Sequence, residues 1–197
     1  LTRWMILCLL LIVPTAAQEN ANPLLDMLRL VPDTAETRDG SPLISYADYR
    51  AIETARGIET PPAKADFDNQ TAAARLWMAA VNGLVSGMPL NYFFEYLEGM
   101  EEAVGFSWFD VDRVLTFGQP PRMGNILAGD FDAAAIASAF ESRDFTSENQ
   151  DSVTIWCGPD GCDSGLAANI ASRNPANPFG GQLGREEPIA VLPGHVV

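Results

Sequence analysis

The segment VLTFGQPPRMGNILA (residues 114–128) decides the fold class of this chain. Val114 to Phe117 and Met123 to Ala128 are short apolar runs of the kind found in β-strands. Between them, Gly118 to Arg122 contains two prolines and a glycine, which is typical of a turn. The segment therefore predicts an antiparallel β-hairpin.

The residues that follow the hairpin predict a helix and a further strand. Asp132 is a suitable N-cap for a helix that runs to Arg143, with Ile136 and Phe140 on its buried side. Val153 to Trp156 is apolar and predicts the next strand. The order strand, strand, helix, strand indicates an antiparallel sheet with helices packed on one face.

The N-terminal half is predicted to be mainly helical, from its capping residues and apolar periodicity. The predicted helices are Leu24–Leu30 after the Asn22 cap, Ala47–Arg56 after the Ser45 cap, an alanine-rich helix after Asp68 or Asn69, and Asn91–Val104. The fold class is therefore α+β, a helical N-terminal part packed with a small antiparallel sheet in the C-terminal half.

The C-terminal region predicts less regular structure. Leu166 to Ser172 is expected to form a short helix and Pro188 to Leu192 a final strand. Between them, Arg173 to Arg185 is rich in asparagine, proline and glycine and predicts a long irregular loop. Loops of this length are usually functional or mobile.

The first seventeen residues have the pattern of a secretory signal peptide. Arg3 precedes an unbroken apolar run, Met5 to Val13, and Pro14 to Ala17 ends in small residues suited to cleavage. The apolar run is shorter than the roughly 20 residues that span a bilayer. We expect a signal peptide at residues 1–17 and one α+β domain at 18–197, which could divide into lobes at 22–105 and 106–197.

Two cysteines outside the signal segment predict a disulfide. Cys157 and Cys162 flank Gly158-Pro159-Asp160-Gly161, a strong tight-turn sequence that would bring them opposite each other. In an oxidising compartment such a pair is expected to be bonded. A redox-active pair normally has two intervening residues at a helix start, so catalytic exchange is the less favoured interpretation.

The charge excludes one class of partner. The chain has a formal net charge of -14, and it contains no basic patch with interleaved aromatic residues. Such a field repels phosphate backbones. We therefore expect no nucleic-acid partner.

A glutamate-rich helix face invites a metal hypothesis. Glu95, Glu98 and Glu102 share the polar side of the Asn91–Val104 helix, and acids at i and i+3 can bind a divalent cation. Bundle metal sites also need inward-facing acids and histidines, whereas the only histidine is His195 near the end of the sequence. A solvated acidic face is the favoured interpretation, so no metal is predicted.

Catalytic motifs are weak. Asp163-Ser164-Gly165 resembles short protease motifs, but it has neither a second such aspartate nor an upstream histidine base. The expected role of Asp163 is to cap the following helix, although Asp160 and Asp163 could also contribute to a calcium site. Two carboxylates such as Asp110 and Asp112 could serve a glycosidase if they faced a cleft. No catalytic, cofactor-binding or metal residue is predicted.

The unit that begins at Gly129-Asp130-Phe131-Asp132 and ends in the strand Val153–Trp156 resembles exported or membrane-anchored bacterial proteins of uncharacterised function. Leu30-Val31-Pro32-Asp33-Thr34 has a similar character. The resemblance covers about residues 24–56 and 106–157 and implies no active site or cofactor.

These observations favour an exported, non-catalytic protein of the cell envelope that binds a protein partner or joins an assembly. Two alternatives remain open. One is a membrane-tethered accessory subunit held by residues 1–17, and the other is a secreted carboxylate-dependent hydrolase.

Overall fold

The computed structural model describes residues 22–34, 37–38, 43–61, 64, 67–68, 70–82, 93–119, 122–151, 153–159, 161–162, 168–185 and 187–197. The helices are α1 (Pro23–Leu28), α2 (Tyr49–Arg56), α3 (Ala72–Asn82), α4 (Phe93–Val104) and α5 (Ala133–Glu141). The strands are β1 (Leu43–Asp48), β2 (Val111–Gln119), β3 (Arg122–Gly129), β4 (Thr146–Gln150), β5 (Val153–Cys157), β6 (Ile189–Leu192) and β7 (His195–Val196).

The strands form one antiparallel sheet with the order β1-β2-β3-β7-β6-β5-β4. Three hairpins, β2-β3, β4-β5 and β6-β7, supply most of it, because consecutive antiparallel strands need only a short connection. The β6-β7 hairpin lies between the β2-β3 and β4-β5 hairpins. β7 pairs with β3 through Leu127 and Val196, and with β6 through Val191 and Val196.

One face of the sheet carries the larger hydrophobic core. Side chains alternate between faces along a strand, so Val114 on β2 and Leu127 on β3 point to the same face as Trp156 on β5. Helices α3, α4 and α5 cover this face with buried Trp77, Met100, Ile136 and other apolar residues. Aromatic rings pack closely here; the rings of Tyr96 and Trp108 stack with centroids 5.8 Å apart.

Helix α1 packs on the opposite face. Its buried Met27 contacts the cluster of Leu115, Ile126 and Ala128. Leu115 and Ile126 are paired across β2 and β3 and have no exposed surface. The sheet is therefore covered on both faces, because both sets of alternating side chains are apolar in this part of β2 and β3.

Local capping explains where the helices begin and end. The side chain of Asn22 accepts hydrogen bonds from the backbone N–H groups of Leu24 and Leu25, and that of Asp132 accepts one from Ala134. Helix α2 ends at Gly57, whose φ of 62° is left-handed. Glycine adopts this conformation without steric cost.

The α+β class predicted from the sequence is confirmed, but the sheet is larger than predicted, and β4 lies between helix α5 and the predicted strand Val153–Trp156. The sheet includes β1 from the N-terminal half, and Ser45, predicted as a helix cap, lies within that strand. Asp48 caps α2 instead. The polar strand β4 was missed because its five residues are all exposed and carry no apolar alternation. The expectation of helices on one face was also wrong, since α1 covers the other.

The predicted helix over Leu166–Ser172 is present only as a short 3₁₀ turn, Ile170–Ser172, within its described part. The Arg173–Arg185 segment is packed against the core, with Ala176, Asn177 and Phe179 buried. The predicted signal peptide lies outside the described residues. None of the helices described elsewhere in the chain has the length and apolar character required to cross a bilayer.

Replacement of Leu127 by alanine should destabilise the protein by roughly 2–5 kcal/mol, because Leu127 is fully buried where β3 meets β7 and the substitution leaves a cavity. Urea unfolding monitored by tryptophan fluorescence measures the loss. Leu76→Ala is the matched control, since Leu76 is 61% exposed on α3 and its loss should cost no more than about 0.5 kcal/mol. Equal losses in the two variants would contradict the described core.

Candidate functional site

A gap in the sheet forms an apolar concave feature of the described structure. Strand β7 has two residues, and its pairing with β3 is restricted to Leu127 and Ala128. Beyond this pairing, Arg122–Ile126 of β3 has no strand neighbour on the side away from β2, among the residues described. Since β3 and β6 flank β7, they stand about two strand spacings apart, roughly 10 Å.

The gap opens into a cavity of about 520 Å³. This volume lies within the roughly 300–1,000 Å³ typical of ligand-binding pockets. The cavity is lined mainly by apolar groups from β2, β3, β5, β6 and the segment after α1. Residues that contribute to the lining include Pro32, Phe117, Arg122, Met123, Gly124, Asn125, Ile155, Phe179, Glu187, Pro188, Ala190 and Val197. We call this cavity the β3–β6 gap.

Gly124 and Phe117 shape one wall of the gap. They are paired across β2 and β3, and a Cβ at position 124 would overlap the ring of Phe117. The missing side chain therefore allows the ring to lie over the β3 backbone. A strand glycine at such a position permits close packing on the backbone.

The buried segment Asn177–Phe179 closes another side of the gap. The side chain of Asn125 donates a hydrogen bond to the carbonyl oxygen of Pro178 at 3.1 Å, and its amide oxygen lies 2.8 Å from Oγ1 of Thr116. The side chain of Asn177 accepts a hydrogen bond from the Phe179 N–H. These bonds hold the backbone of Pro178 and Phe179, and the ring of Phe179 contacts both the gap and the main core.

Glu187 places a carboxyl group in this apolar setting. Burial raises the pKa of Glu187, because desolvation disfavours the charged form, while nearby Arg185 acts in the opposite direction. The guanidinium of Arg185 is itself buried, with Nη1 3.8 Å from Oε1 of Glu187. A Cβ at Gly180 would lie 2.6 Å from the same Oε1, so the glycine leaves room for this carboxyl group.

Cys157 and Cys162 lie at bonding distance, with their Cα atoms 4.6 Å apart, consistent with the predicted disulfide. Gly158 and Gly161 form an isolated bridge between them. Cys157 is the last residue of β5 and pairs with Thr146 of β4. The pair therefore belongs to the β4 side of the sheet.

The acids considered from the sequence do not form a site in the described structure. Asp110 accepts hydrogen bonds from the N–H and hydroxyl of Ser107, and Asp112 pairs with Arg50 at 2.6 Å. Both therefore have structural partners. His195 lies in β7, where its Nδ1 is 3.2 Å from the carbonyl oxygen of Pro193.

The residues described contain no group of three or more histidine, cysteine and acidic side chains able to hold a metal. Glu95, Glu98 and Glu102 are exposed on α4, as a solvated face requires. Asp160 and Asp163, considered for calcium, lie outside the described residues.

Sequence reasoning missed the gap. Its walls come from segments far apart in the chain, and only two local signals point towards it. Gly124 interrupts a predicted strand. Pro188 has no backbone N–H to donate to a neighbouring strand. Glycine and proline both mark irregular positions in a sheet. The Arg173–Arg185 segment, predicted to be a long irregular loop, contributes Phe179 to the lining.

Replacement of Glu187 by glutamine should stabilise the protein at neutral pH, because the folded state disfavours the charged carboxylate. Between the unfolded-state pKa and the raised folded-state pKa, the folded protein binds more protons at Glu187 than the unfolded chain does. The contribution of the Glu187 carboxyl group to stability therefore falls as pH rises above 4.5, the ordinary pKa of a glutamate. The difference in free energy of unfolding between variant and wild type should disappear as pH falls to about 4.5. A difference that grows on acidification would contradict this.

Comparison with known proteins gives no assignment, since no family model, curated protein or solved structure matches the chain.

Proposed function

We propose that this protein is an exported, non-catalytic binding module whose β3–β6 gap accepts an apolar group of a protein partner. The observation that carries the proposal is an apolar cavity of about 520 Å³ between two strands that a short third strand holds apart. Concave, apolar cavities with a few polar groups are the usual form of binding sites. The predicted signal peptide and the cysteine pair support export.

The distribution of acids supports binding in preference to hydrolysis. A carboxylate-dependent glycosidase needs two carboxyl groups about 5–10 Å apart across its substrate. Among the described residues that line the gap, Glu187 is the only acid. Asp110 and Asp112, the pair considered from the sequence, are held in the capping and ion-pair contacts described above. Hydrolysis is therefore the least favoured function.

The gap should bind the neutral apolar dye Nile red with a rise in dye fluorescence. Ala190→Phe should weaken binding at least about tenfold, because Ala190 lines the gap and a phenyl ring would occupy it. Ala79→Phe is the matched control, since Ala79 is exposed on α3. Circular dichroism checks that both variants are folded. Binding that is unchanged in Ala190→Phe, or absent from the wild type, would contradict a binding role for the gap.

A membrane-tethered accessory subunit is the second candidate, favoured by the apolar segment Met5 to Val13. The intact mass of the unreduced protein, purified from its own cells, distinguishes the binding module from the tethered subunit. The binding module predicts a chain that starts at Gln18 and is two hydrogen atoms lighter than the reduced form, because Cys157 and Cys162 are bonded. A mass that retains residues 1–17 would establish the tethered form instead.

A further inference from the structure

We propose that a second pocket, at the C-terminal end of α2, binds an alkylammonium group through the carboxylates of Glu53 and Glu59. The pocket has a volume of about 560 Å³ and is lined by one face of α2 and by residues 57–60. It shares none of its described lining residues with the β3–β6 gap. A ligand in this pocket would therefore bind independently of the gap.

Glu53 supplies a buried carboxylate to the pocket. Its side chain is 6% exposed, and its Oε1 accepts hydrogen bonds from Nε1 of Trp77 at 3.1 Å and from the hydroxyl of Thr60. The other oxygen, Oε2, has only one polar neighbour among the described residues, Nη1 of Arg50 at 3.8 Å. This separation exceeds hydrogen-bond distance. A donor from a ligand can therefore complete the hydrogen bonding of a carboxylate that has lost most of its water.

Arg50 does not balance the acids of the pocket. Its Nε donates to Oδ1 of Asp112 on β2 at 2.6 Å, so its positive charge already has a close partner. Glu59 lines the pocket, is exposed, and has no ion pair with any described residue. Three carboxylates therefore surround one guanidinium group, and a cation would reduce the remaining negative charge.

The end of helix α2 adds to this preference for a cation. The helix ends at Arg56, and the N–H of Gly57 donates back to the carbonyl groups of Glu53 and Thr54. Carbonyl groups of the last turn carry the partial negative charge of a helix, which favours cations at that end. The formal net charge of -14 acts in the same direction at long range.

The other lining residues favour an organic cation with an alkyl chain. The hydroxyl of Thr54 donates to the carbonyl oxygen of Arg50 at 2.8 Å, which leaves its oxygen as an acceptor. Ile58 is half-buried, packs against the main core, and offers apolar surface to a ligand. An ammonium group has three N–H donors and no acceptor, which matches these oxygens. A small free amine and a lysine side chain both carry this group.

NMR titration with n-butylammonium chloride tests the pocket on the full chain. The indole N–H resonance of Trp77 should shift and saturate at about 10 mM ligand or less, because this N–H is bonded to Glu53. The indole resonance of Trp156 should stay in place, since Trp156 lies on β5 and does not line the pocket. Neutral n-butanol, which has the same chain without the charge, should produce no saturable shift.

Three variants separate local recognition from general charge. Glu53→Gln keeps the side-chain oxygen that accepts from Trp77 and should weaken butylammonium binding at least about tenfold, because the ligand loses a charged acceptor. Glu59→Gln should weaken binding about two- to fivefold, since this acid is exposed. Glu95→Gln is the matched control, because it makes the same charge change on the exposed face of α4. Circular dichroism checks the fold of each variant.

The outcomes decide the role of the pocket. Absence of a saturable Trp77 shift, or an equal shift with n-butanol, would overturn the proposal. Equal weakening in Glu59→Gln and Glu95→Gln would show attraction by net charge alone, which also overturns it and does not depend on the stability of Glu53→Gln. A parallel titration with Nα-acetyl-lysine amide distinguishes the two sources of the ammonium group. Tighter binding of this compound supports a lysine of a protein, and tighter binding of butylammonium supports a free amine.

Discussion

The pairing of β7 with β3 and β6 is the interaction on which the rest of the sheet depends. Val196 is fully buried and lies opposite both Leu127 and Val191, so one side chain of a two-residue strand connects two three-stranded parts. Without it, the β1-β2-β3 part and the β6-β5-β4 part would share no backbone hydrogen bonds among the described strands. Beyond this pairing, the described residues place no strand between β3 and β6.

The packing on the two faces shows why the gap persists. On the helical face, Phe179 and its neighbours cover this part of the sheet; the Asn125 side chain donates a hydrogen bond to Pro178, and the Asn177 side chain accepts one from Phe179. On the other face, α1 covers Leu115 and Ile126, and the cavity begins beyond them. Burial of apolar surface therefore stabilises the walls of the cavity.

The two outer strands, β4 and β1, differ from each other in the residues they expose to solvent. Strand β4 is wholly polar and exposed, a composition that discourages pairing with other chains. Strand β1 carries two half-exposed apolar residues, Leu43 and Ile44, at the other edge.

The sequence by itself determined the α+β class, the β2-β3 hairpin, helix α5 with its Asp132 cap, and the approach of Cys157 to Cys162, because each depends on residues close together in the chain. Only the tertiary structure decided that β1 joins the sheet, that β7 enters between distant hairpins, and that Gly124, Phe179 and Glu187 meet around one cavity. Strand pairing between distant segments is governed by backbone hydrogen bonds common to all residues. Side-chain patterns therefore carry little information about which strands become neighbours.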